Sequence, residues 1–298
     1  MRPVVNGDPF ITLIFSKGRK SENSPAEMYG TTKIKAKASL LLLILACSAT
    51  GLGTESERIY PSGFSLVMKL GGELHEALPQ KFFDQVDTQP IALQPQDFPL
   101  ISPIATREEN RLQRQVELSA GFIDLINHLC HAKAIDKLQP GYFDQYVAIL
   151  SRVCAGNPAA PLPPIVEARF WSEDVVNDQI GYFNQMMGMM IAIHMSHHYL
   201  GHDAKYGAKL TGSAEGIAPI NNFLTPAEWN VSVKAGALNG LNCALSTDGL
   251  RIIFEALDKM PSRPTWAVYI APENTDFKKL NKELARFEED FFHGRIKN

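Results

Sequence analysis

The stretch "MMIAIHMSHHYLGHDAKY" (residues 189–206) gathers four of the chain's eight histidines, His194, His197, His198 and His202. No proline interrupts residues 172–202. Ser172 suits an N-cap, Glu173 and Asp174 suit a first turn, and Gly201 suits a stop, so the segment reads as one helix. Each helical residue advances about 100°, which puts His194 and His198 on one face a turn apart and His197 on the neighbouring stripe. His202 lies four residues further but follows Gly201, so its side chain can leave that face. Two imidazoles one turn apart can hold a single tetrahedral cation through ring nitrogens at about 2.0–2.1 Å.

The chain around this helix has 298 residues, of which 45% are hydrophobic, enough for a buried core. A net charge of -3 with 20% charged residues gives no overall basic field, which excludes a nucleic-acid binder reading phosphate by charge. Residues 1–54 read as a leader. Lys33, Lys35 and Lys37 precede a short apolar run at residues 40–46 with small residues after it, the layout of a secretory signal peptide. That run is well short of the about 20 apolar residues of a membrane span. "LILAC" is similar to a bacterial lipoprotein signal, with Cys47 as the lipidated residue, and cleavage near Ala49 is the alternative. Met28 would make a conventional start. An exported protein follows, periplasmic or secreted, meeting a membrane only through the signal or an anchor at Cys47. Cys130, Cys154 and Cys243 then allow at most one disulfide.

Residues 55–298 read as one mainly helical domain. The region up to about residue 106 is rich in proline and glutamine, with "FSLVMKL" as a possible strand. "TREENRLQRQVELSAGFIDLINHLCHAKAID" reads as a helix opened by Thr106 and Glu109, with Leu112, Val116, Leu118, Phe122, Leu125, Ile126 and Leu129 at helical spacing. "GYFDQYVAILSRV" is a second helix, and four prolines in "CAGNPAAPLPPI" make a linker. "YGAKLTGSAEGIAPINNFL" reads as an irregular loop. Residues 225–260 form a helical hairpin, "TWAVYIAP" a lone strand, and a charged amphipathic helix closes the chain. The fold class is therefore mostly α with a minor β component.

The run His194-Met195-Ser196-His197-His198-Tyr199-Leu200-Gly201-His202 resembles the metal-site helix of zincin metallopeptidases. These carry H-E-x-x-H, continued in one group as H-E-x-x-H-x-x-L-G-H. Both histidines and a following Leu-Gly-His occur here in the same order. The resemblance implies a zincin-like fold with a central metal-site helix, zinc as the cofactor and peptide or protein as the partner. It also implies a third ligand from a following helix, often a glutamate; Glu228 is the best placed and His202 the alternative. Thr225 to Glu228 is also a capping box with proline in the first turn, which by itself accounts for that glutamate. Glu215 and Asp203 are weaker candidates, and Ser232 stands where some of these families carry an aspartate.

Met195 occupies the glutamate position of the pattern. In such peptidases that carboxylate takes a proton from metal-bound water and passes it to the leaving amine, which a thioether cannot do. Metal binding without hydrolysis is the expectation, with His194, His198, His202 and Glu228 as candidate ligands. Copper, held by Met186, Met187, Met189, Met190 and Met195, is a weaker alternative, because methionines at that spacing also fill helix cores. "GFSLV" lacks the second glycine of a nucleophile elbow. A non-catalytic exported or lipid-anchored helical scaffold is the reading from a different class.

Overall fold

A computed structural model describes residues 61–108, 111–210 and 216–296. The leader at residues 1–54, with its apolar run and Cys47, lies outside the described residues, as do Glu109 and Glu215. The described chain is mostly helical with one three-stranded sheet. It opens with α1 (Pro61–Glu76), which buries Val67, Leu70 and Leu74. Their spacing is helical, so "FSLVMKL" is part of a helix and not a strand.

The sheet holds β1 (Ile91–Gln94), β2 (Ile101–Glu108) and β3 (Arg111–Ser119) in the order β1-β3-β2. β3 runs parallel to β1 and antiparallel to β2. The helix expected from Thr106 is thus a hairpin over its first part, with Thr106 paired to Gln113 across the two strands. The physical reason lies in the periods: Leu112 and Val116, four apart, suit a helical stripe, but Val116 and Leu118, two apart, share a face only on a strand.

Helix begins only at α2 (Ala120–Leu138), capped by Ser119. The Ser119 hydroxyl accepts from the Phe122 amide at 3.0 Å and the Leu100 amide at 2.8 Å, and donates to the Phe98 carbonyl at 2.7 Å. One hydroxyl thereby joins the sheet, its preceding loop and the helix bundle.

α3 (Tyr142–Gly156) and an extended proline-rich segment lead to α4 (Glu173–Tyr199), whose N-cap is Ser172. Every residue of α4 from Met186 to His198 is buried. A helix apolar on all sides has to be enclosed on all sides. The enclosure comes from α1, α2, the sheet, α6 (Pro226–Asn242) and α7 (Asp248–Lys259). Between them α5 (His202–Leu210) takes up the first residues of the segment expected as a loop, with Tyr206 and Leu210, four apart, burying one side of it, while residues 216–224 are irregular apart from a short 3-10 turn at Ile220–Asn222. The lone strand expected in "TWAVYIAP" is a single helical turn, α8 (Ala267–Ile270), burying Trp266, Ile270 and Ala271. α9 (Phe277–Phe292) ends the bundle. Cys130, Cys154 and Cys243 are free thiols. No helix among the described residues is long and apolar enough to cross a membrane.

Close helix approach depends on glycine. A Cβ on Gly236 of α6 would stand 2.6 Å from the Ile193 backbone of α4, and one on Gly249 would meet the Gln185 carbonyl. Gly236→Ala is expected to destabilise the fold by about 1–3 kcal/mol through overpacking. Gly181→Ala, on an exposed part of α4 with nothing within 4 Å, should stabilise it by up to about 1 kcal/mol through helix propensity. Denaturant unfolding of the two variants checks the opposite signs.

Candidate functional site

The four histidines stand at the buried end of α4 and the start of α5. His194 and His197 are 0% exposed, His198 3% and His202 7%. Leu200 caps α4, and Gly201, at φ +76, turns the chain before α5 begins. This break swings His202 away from the face of His194 and His198 and against His197. The Leu-Gly-His of residues 200–202 also follows His198 one residue sooner than in the peptidase pattern.

Three rings form a continuous row. The centroids of His194 and His197 are 5.5 Å apart with the rings edge to face, and those of His197 and His202 are 5.3 Å apart. The Nδ1 atoms of His197 and His202 lie 3.0 Å from each other. Ser232, one turn into α6, places its Oγ 3.2 Å from the first and 3.3 Å from the second. Its hydroxyl donates to the Glu228 carbonyl at 3.0 Å. Ser196 Oγ in turn donates to the Ser232 carbonyl at 3.2 Å, fixing α4 against α6.

Burial governs the charge of this row. It pushes the His194 imidazole down to about 3, with His198 adding to the shift and the Tyr269 backbone opposing it. Neither nitrogen of His194 completes a hydrogen bond. His197 is lowered well below the ordinary imidazole value by burial and by its three histidine neighbours, and its Nε2 also has no partner. His202 is lowered by burial, with the Glu228 and Asp203 carboxylates opposing. These rings are neutral, the form in which imidazole accepts a metal.

His198 takes another course. Its Nε2 lies 2.9 Å from the Gln115 carbonyl of β3 and its Nδ1 3.2 Å from Asp203 Oδ2. Both ring nitrogens of His198 are thus engaged by groups of this chain. Asp203 Oδ2 also accepts from Arg114 Nε at 3.1 Å, and Oδ1 from the Ala204 amide at 2.7 Å. Burial would raise the Asp203 carboxyl, but its hydrogen bond to His198, the charge of that ring, the Ala204 amide and the Arg114 guanidinium together hold it below the usual range.

Glu228 completes its capping box. Its Oε2 accepts from the Thr225 amide and hydroxyl, both at 2.8 Å, and its Oε1 from Lys205 Nζ at 2.7 Å. Tyr206 donates to the same carboxylate at 3.1 Å. Lys205 first, and Thr225 after it, push this carboxyl down to about 2. Met195 is fully buried within the apolar core. Among the described residues, no three His, Cys, Asp or Glu side chains converge closely enough to hold one ion.

The structure therefore brings His194, His197 and His202 together, binds His198 to Asp203 and the sheet, and gives Glu228 to the start of α6. Spacing alone did not single out His197, Ser232 or Arg114. The helix-ending glycine before His202 was the available signal for the first. A cleft of about 440 Å³ opens nearby, lined by Asn221, Leu224, Trp229, Pro272, Asp276 and Lys279, and contains none of the four histidines. Compared with known proteins, the chain matches no family model, no curated protein and no solved structure.

The depressed histidine pKa values set the acid behaviour. The folded state binds fewer protons than the unfolded state below the ordinary imidazole value, so the stability these rings contribute is complete above about pH 6.5 and lost progressively below it. The loss is up to about 1.4 kcal/mol per pH unit for each ring. Urea unfolding between about pH 7.5 and pH 5 should show this slope, and His194→Leu should flatten it by one ring's share. Asp203→Ala, which removes the buried acceptor shared by Arg114, the Ala204 amide and His198, should cost about 1–3 kcal/mol in the same measurement.

Proposed function

We propose that this chain is an exported zinc-binding protein with the helix of a zincin-type metallopeptidase and no peptide hydrolysis. The observation that carries the reading is the meeting of two buried, neutral imidazoles, His197 and His202, whose Nδ1 atoms lie 3.0 Å apart with Ser232 Oγ 3.2 and 3.3 Å from them. Ring lone pairs crowded together in a closed interior are costly, and a bound cation would remove that cost.

The residues fit zinc better than copper. Met186, Met187, Met189, Met190 and Met195 are fully buried among apolar side chains and serve the core, and Cys130 Sγ donates to Met186 Sδ at 3.1 Å. Bound zinc would supply Lewis acidity, polarising whatever occupied its open position. The chain's own residues would hold the ion and exclude water. None is placed to move a proton at the site: Met195 has no acid or base, and Glu228 is saturated by Thr225, Lys205 and Tyr206. The basic, apolar and small residues at 33–49 support export.

A scaffold role is the second reading, favoured by the exposed side chains Leu138, Val166 and Trp171. A hydrogen bond from Arg169 to Gln139 holds the turn bearing Trp171 against the end of α2.

Elemental analysis of the purified protein after exposure to zinc and removal of excess tests the main reading. Near-stoichiometric zinc is expected in the natural protein and a large loss when His197 and His202 are both replaced by alanine. Equal zinc in both proteins contradicts a histidine-held ion.

A further inference from the structure

Resting on the zinc-binding reading, we propose that the ion sits on the face formed by His197 Nδ1, His202 Nδ1 and Ser232 Oγ, a two-imidazole and one-hydroxyl site with an open fourth position. The three edges of this face are 3.0, 3.2 and 3.3 Å. A tetrahedral ion with bonds of about 2.0–2.1 Å has ligand-to-ligand edges of about 3.3 Å. The donors are thus already spaced to share one ion, without movement of the three helices that carry them.

Proton counting points the same way. The serine hydrogen is committed to the Glu228 carbonyl, leaving the oxygen's lone pairs toward the two rings. Two Nδ1 atoms 3.0 Å apart can hold one proton between them. In the tautomer with both ring protons on Nε2, three lone pairs face one another in a buried space, a situation that calls for a cation. Serine is outside the His, Cys, Asp and Glu donors of commoner sites, which accounts for the lack of a convergent triad of those types.

The surroundings supply rigidity. Gly201 at φ +76 fixes the turn between the two histidines, and Ser196 holds the Ser232 backbone. His202 keeps 7% exposure, more than the other three histidines of the cluster.

Cobalt(II) and zinc titrations of the full chain test the site. The natural protein should give the intense visible bands of four-coordinate cobalt, displaced by zinc. His202→Ala should weaken zinc binding about a hundredfold or more and Ser232→Ala about tenfold. Replacing both His194 and His198 by alanine should change it less than about threefold, since neither supplies a ligand here. His202→Cys guards against a fold defect: cobalt in this variant should add a thiolate charge-transfer band, and a folded variant that binds cobalt without that band overturns the assignment. Zinc lost with His194 and His198 but retained in His202→Ala also overturns it while leaving a zinc protein. A natural protein that binds neither metal removes the zinc reading itself.

Discussion

The fold depends on the enclosure of the last half of α4. Gly236 and Gly249 let two helices approach its backbone more closely than any side chain would permit, and α1, α2 and the sheet close the other sides. Water cannot hydrate what lies inside. Each polar group there must find a partner within the protein, change its charge, or remain unsatisfied at a cost. The four histidines answer this constraint in different ways, and their chemistry follows from which neighbours each can reach.

His198 is held between Asp203 and the β3 backbone, with Arg114 sharing the carboxylate. This polar pair connects the helix break to the sheet. His197 and His202 meet Ser232 of α6, His194 packs beside His197, and all three are driven neutral by burial. One ring thus ties the helix break to the sheet, and the other three stand neutral in the interior.

Sequence pattern made α3, α4, α6, α7 and α9 legible because each combines a cap or helix-friendly start with unbroken 3.6-residue spacing. Thr225 and Glu228 form the capping box that their spacing implies. The β2–β3 hairpin was hidden because Leu112 and Val116 stand at helical spacing and run on into the helical spacing of α2. α1 was obscured by the proline- and glutamine-rich stretch after it, and α5 by the loop-like residues that follow. At the candidate site, the shared face of His194 and His198 could be read from intervals of four. What each ring bonds could not, since it is decided by a β3 carbonyl, by Asp203 across the helix break and by Ser232 from a later helix. Local spacing carries no information about partners that arrive from elsewhere in the chain.

Ser119 has a consequence for how the molecule comes apart. Its hydroxyl has two acceptor positions and one donor, and all three are used, on a strand edge, a loop and the first turn of α2. The sheet therefore cannot peel from the bundle while the helices stay folded without stranding two amides and a carbonyl at once. Strands and helices should melt as a single cooperative unit, despite the small size of the sheet.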